Sequence, residues 1–172
     1  MELKMNFKAA RRNYLNVLFG LVFWLGLTFI AAAVGAYASV NAKAFYAGLL
    51  RPAWAPPGWL FGPVWSVLYL LMGMAAFFVW RERGHKSVNA ALCLYAGQLV
   101  LNSLWTWLFF AWRSGFAAAV GICTLWALIV LTLVAFWRVR ALAGILLVPY
   151  LIWVTFAMFL SFATWQMNPS VL

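Results

Sequence analysis

The chain has 172 residues, of which 68% are hydrophobic and only 8% charged, with twelve Lys and Arg against two acidic residues. A soluble domain carries roughly 25% charged residues to face water, so this composition excludes a water-exposed surface of ordinary size. It also turns the net charge of +10 away from a nucleic-acid reading, because the basic residues flank apolar segments, where they anchor and orient membrane helices.

The predicted elements give an all-α membrane protein: a bundle of five transmembrane helices with a structured loop between the first and second. Residues 1–13 form a basic cytoplasmic tail carrying Lys4, Lys8, Arg11 and Arg12. A single membrane domain follows over 14–167, and residues 168–172 are a short tail. The spans are expected at about 14–39, 59–80, 88–111, 114–137 and 141–166, each close to the ~20 apolar residues that cross a bilayer. Continuous apolar runs, without alternation, favour helices over a β-barrel. The first apolar run is too long for a cleavable signal peptide.

The linker 40–58, with Lys43, Arg51, Pro52, Pro56 and Pro57, is the longest connection and is expected to fold as a compact cap stiffened by proline and tryptophan. Lys and Arg number nine on the side of the N-terminus and three on the other. This places the N-terminus in the cytoplasm and the linker and C-terminus outside.

Twelve tryptophans divide into two groups. Trp80, Trp112 and Trp137 lie beside loop arginines and read as interfacial belts. Others fall within spans: Trp65, Tyr69 and Gly73 share one helix face by their spacing of four, as do Pro149, Trp153, Ala157 and Ser161, and Gln98, Asn102 and Trp105 do so at spacings of four and three. Gln98 and Asn102 are amides in hydrocarbon, which turn to the bundle interior, either for interhelical hydrogen bonds or as a polar spot in an aromatic cavity. No acidic residue lies mid-span, and the single His85 sits in the charged turn 81–86. An ion-coupled carboxylate relay, conventional acid–base catalysis and histidine-ligated haem therefore have no candidates in the spans. Cys93 and Cys123 read as small apolar residues, with no disulfide framework or metal spacing. The residues that remain suit a large, planar, apolar ligand.

Three separated stretches resemble the TspO family of tryptophan-rich sensory proteins, which includes the mitochondrial translocator protein. They are Phe45-Tyr46, Arg51-Pro52, Trp54, Pro56-Pro57-Gly58 and Trp65 through Leu68-Tyr69; then Tyr95, Gln98-Leu99, Asn102, Trp105 and Phe109-Phe110; then Val148-Pro149-Tyr150, Trp153, Phe156-Ala157 and Leu160. The resemblance implies a five-helix bundle, often a homodimer, with a ligand pocket under the first loop. Similar proteins bind porphyrins, haem, benzodiazepine-like drugs and, in animals, cholesterol. Carried over, the pocket would use Tyr46, Trp65, Tyr69, Gln98, Asn102, Cys123, Trp153 and Ala157, with Arg51, Pro57, Trp105 and Leu160 joining from the matched stretches.

The expected function is a receptor or regulator binding tetrapyrroles, without an obligatory cofactor or metal, in a bacterial inner membrane. The alternatives are a porphyrin transporter and a light-dependent porphyrin-degrading enzyme acting through Trp65 and Trp153. Ser161 stands where many members have Asn. Residues 160–168 lack the tyrosine and basic residue of the animal sterol motif. The basic N-terminal extension is longer than the family implies.

Overall fold

The structure is a computed structural model describing the backbone of residues 2–82 and 84–172, and the side chains from Tyr14 onward apart from position 83. Six α-helices account for most of it: α1 Glu2–Ala38, α2 Ala42–Gly48, α3 Phe61–Arg81, α4 Val88–Thr106, α5 Gly115–Val139 and α6 Ala141–Met167. A 3-10 turn, Gly58–Leu60, leads into α3, and a π-turn, Trp107–Ala111, closes α4. Five stretches are long and apolar enough to span a membrane: Tyr14–Ala38, Gly58–Arg81, Val88–Ala111, Gly115–Val139 and Ala141–Met167. At 24–27 residues each exceeds the bilayer minimum and can tilt. No strand occurs among the described residues.

The expected spans hold to within about two residues at most boundaries, but two features differ. Residues 2–13 are the first part of α1 rather than standing apart; their basic side chains lie outside the described residues. The linker contains a seven-residue helix, α2, before its proline-rich strap.

The five spanning helices form a ring in the order α1, α3, α6, α5, α4, with α4 returning to α1. A buried core of Met72, Ala75, Ala76, Val79, Tyr95, Ile122, Leu125, Ile129, Phe136, Leu147, Tyr150 and Val154 fills the centre. Close approach is bought by glycine. A Cβ on Gly73 would lie 2.8 Å from a Leu25 methyl and 3.2 Å from the Leu25 Cα, so α1 and α3 touch backbone to backbone there. Glycines also seat tryptophan rings: Gly20 under Trp80, Gly115 under Trp165 and Gly144 under Trp137. Trp80 is therefore wedged between α1 and α3 and stacks on Phe77, whereas Trp112 is 60% exposed and fits the interfacial expectation. Trp137 does both, covering Gly144 while remaining half exposed.

At one end of the bundle, Arg140 donates to Glu82 at 2.9 Å and lies over the Phe78 ring, tying the 81–87 turn to the α5–α6 junction. At the other end, Arg113 takes a positive φ of 50° between α4 and α5 and places its guanidinium over Phe45 of α2. A left-handed conformation is uncommon for a residue with a Cβ.

Candidate functional site

The cap end of the bundle holds a cavity of about 810 Å³, within the range of small-molecule pockets. One wall is made of α1, with small residues Ala32, Ala33, Gly35 and Ala36 and the ring of Phe29 at its deep end, and of Ser39 just after the helix. The opposite wall is aromatic, with Trp59, Phe61, Trp65 and Tyr69 from the entry to α3 and its first turns, and Trp105 and Phe110 behind. Lys43 and Tyr46 of α2 roof it. A row that is small apart from Phe29, facing a row of rings, makes a slot, and a slot takes a flat molecule.

Most polar hydrogens in this lining are already committed. Tyr46 donates to the Pro56 carbonyl at 3.1 Å, and Tyr69 to Asn102 Oδ1 at 2.6 Å. The Trp105 indole donates to the Ala118 carbonyl at 3.1 Å. Ser39, Ser66 and Thr106 donate to backbone carbonyls of their own helices. Lys43, exposed at the rim, is the only charged residue in the lining among the described residues. The site therefore offers flat apolar surface inside and one cation at its edge. Arg51 does not reach the lining. Its guanidinium lies 4.7 Å from the Tyr46 ring centroid. Burial raises the Tyr46 phenol above its ordinary range, and Arg51 partly opposes this by hydrogen bonding and charge.

Of the residues expected from the sequence, Tyr46, Trp65, Tyr69 and Trp105 line this cavity. Asn102 stands one shell behind, accepting from Tyr69 and donating to the Tyr150 hydroxyl at 2.9 Å. Gln98 is buried deeper. Its Nε2 meets Met72 Sδ at 4.0 Å and its Oε1 has no partner.

Trp153 lies in the α3–α6 seam, which is filled by ring edges: Phe61 on Trp153 at 5.8 Å, Trp153 with Phe156 at 5.5 Å, and Trp65 on Tyr150 at 6.1 Å. That packing explains why the cavity opens between α1 and α3 and not between α3 and α6. The Trp153 indole N–H is buried without an acceptor. Pro57 is exposed in the strap beside the lining residue Gly58. Ala157 and Leu160 are buried on α6, and Ser161 joins them; Pro149, expected on the same face, points outward. Cys123 is exposed on α5, 3.9 Å from Met158 Sδ.

Sequence reasoning missed the α1 wall and Trp59. It also placed Asn168 in a free tail, whereas that residue is buried and hydrogen-bonded to the cap.

The TspO/MBR family matches residues 22–166, which takes in the greater part of the first span, the cap and nearly all of the other four spans. The chain belongs to the TspO/MBR family. The tryptophan-rich protein TspO of Chlorobaculum tepidum is 46% identical over 129 residues, covering 73% of this chain and 80% of that one. The translocator protein of Homo sapiens is 41% identical over 126 residues, covering 72% and 75%. The tryptophan-rich sensory protein of Cereibacter sphaeroides is 39% identical over 148 residues, covering 84% and 91%. Membership in this family, with five spans of sufficient length, makes the chain an integral multi-pass membrane protein.

Proposed function

We propose that this chain is a membrane receptor or regulator that binds tetrapyrroles, protoporphyrin or haem, in the slot between α1 and α3 beneath α2. The observation that carries this reading is the cavity of about 810 Å³ with rings on one wall and, Phe29 apart, small residues on the other. Stacking supplies the binding energy, at about 0.5–1.5 kcal/mol per aromatic contact beyond burial. The propionates point to the rim, where Lys43 meets them, with Arg51 nearby on the cap. No cluster able to hold a metal occurs among the described residues, and His85 is in the turn at the opposite end. Metal-free porphyrin is therefore expected to bind about as well as haem.

The test is a dark titration of purified protein with protoporphyrin, followed by Soret absorbance, in wild type, Trp65→Phe and Trp153→Phe. Trp65→Phe is expected to weaken binding. Trp153→Phe, outside the slot, is expected to act less. Unchanged affinity in Trp65→Phe would reject the site.

A second reading, light-dependent breakdown of the porphyrin, is favoured by one arrangement. Trp65 lies 5.5 Å from Tyr69 and 6.1 Å from Tyr150, so an excited ligand would meet a contiguous aromatic array. Product spectra after illumination decide it, and flux in liposomes decides whether the ligand is also carried across. The nine-to-three distribution of Lys and Arg orients the N-terminus to the cytoplasm. Reporter fusions at the two ends that give the reverse signals would overturn that orientation.

A further inference from the structure

The strap 49–57 leaves α2 in an extended conformation at Leu49 and crosses the cap end of the bundle before the turn into α3. Its fastening is specific. Asn168, immediately after α6 and only 7% exposed, accepts from the Leu50 N–H at 2.9 Å and donates to the Leu50 carbonyl at 2.8 Å. Its second amide hydrogen goes to the Thr164 carbonyl at 2.8 Å, which fixes the orientation of the group. The side-chain amide thus pairs with both polar backbone groups of one residue 118 positions away, as a neighbouring peptide would.

Apart from the Ala42 N–H on the Ser39 carbonyl, where the linker leaves α1, every other hydrogen bond described for residues 42–60 outside the helix ladders stays among residues 41–60. The remaining attachments are ring contacts: Phe45 on Phe109 and Phe110, Trp54 on Phe156, Tyr46 on Phe61, and Arg113 over Phe45. Ring contacts are tolerant of sliding, whereas a two-armed hydrogen-bonded clasp is either made or broken. The Asn168 amide is buried while Leu50 is 64% exposed, so both arms are part-buried and water reaches the clasp from the strap side only. The cap supplies Lys43, Tyr46 and Trp59 to the cavity. A segment that roofs a cavity and hangs on one directional tether is a lid with a latch.

We propose that the Asn168–Leu50 clasp is the latch that holds the cap closed, and that its breaking sets the rate at which the cavity is exposed. Hydrogen–deuterium exchange of the full chain in lipid nanodiscs, without ligand, tests it. Asn168→Asp removes the two donated bonds and Asn168→Gln displaces the amide by one methylene; both remain polar at a helix end. Each is expected to speed exchange across residues 42–60 by roughly tenfold, the effect of losing one or two part-buried hydrogen bonds. Exchange in α3 to α5 stays unchanged, as does the cap in the neighbouring exposed-site control Gln166→Ala. Wild-type exchange of the cap in both variants would overturn the proposal. So would uniform acceleration of every helix, which would make Asn168 a general packing residue.

A second arm rests on the tetrapyrrole reading: bound protoporphyrin should dissociate from Asn168→Asp by a similar factor faster. Failure of protoporphyrin to bind wild type removes that reading and leaves the exchange result standing. Binding with an unaltered off-rate, beside a loosened cap, would show that the latch does not gate the ligand.

Discussion

The Tyr69 hydroxyl on α3 donates to Asn102 Oδ1 on α4 at 2.6 Å, so the aromatic wall of the cavity is held upright by an amide buried one layer behind it. The same amide donates to Tyr150 on α6 at 2.9 Å, which joins three helices through one side chain. Asn102→Leu leaves two buried hydroxyls without their partner. A loss of about 1–3 kcal/mol follows, at the upper end of what interhelical bonds contribute within membranes. Unfolding in mixed micelles with increasing SDS measures it. Tyr69→Phe should cost less, and the double variant should cost less than the sum of the two. Strict additivity would mean that the pair is not coupled.

Helix proximity between α1 and α3 gives a second expectation. Gly73→Val places its branch against Leu25 and Thr28 with no room to retreat and is expected to lower stability by about 1–3 kcal/mol. A Cβ on Gly26 meets nothing within 4 Å, so Gly26→Ala leaves the unfolding midpoint unchanged or slightly raised. Equal effects at the two glycines would refute the close contact.

Tyr46 links the cap to pH. Its phenol is raised by burial, with Arg51 acting in the opposite direction. A group whose folded pKa exceeds its unfolded value contributes stability that is complete below the unfolded value, about 10 for tyrosine, and is lost as pH rises through the folded one. Exchange protection of residues 42–60, corrected for the intrinsic pH dependence, should therefore be flat from pH 6 to 9 and fall above pH 10. Arg51→Ala moves the Tyr46 titration upward. A downward movement would contradict the assignment.

Association of two copies has its best surface on α4, where Ala90, Cys93 and Gly97 all face outward. Small residues let membrane helices approach closely. The competing α5 stripe is divided, with Gly115 and Ala119 buried in the bundle and Cys123 and Ala127 exposed. In a Cys123→Ser background, oxidation should yield a dimer linked through Cys93. A monomer mass in mild detergent with no crosslink would reject the α4 interface.

The number of spans was legible because apolar run length and flanking arginines are one-dimensional signals. Helix phase was legible only where polarity broke the pattern. Gln98 and Asn102 marked the inner face of α4, and both are buried. On α6, apolar on nearly every face, spacing from Trp153 chose a face that includes the exposed Pro149, whereas the inward residues are Leu147, Tyr150, Val154, Ala157 and Ser161. The cavity wall from α1 was silent because alanines and glycine announce no ligand. α2 was hidden by the prolines that follow it. Asn168 looked like a tail residue because the clasp depends on a partner 118 positions earlier.

The three glycine-seated tryptophans distribute stiffness unevenly. Trp165 on Gly115 and Trp137 on Gly144 pin α5 to α6 at both ends, making that pair a braced beam. Trp80 on Gly20 and the Gly73 contact pin α1 to α3 only from the middle toward the 81–87 turn. Beyond Phe29 the two helices part around the cavity. They are built like tongs, closest at Gly73 and parted under the cap, so a widening of the slot is expected to turn about that contact and to leave the α5–α6 beam still.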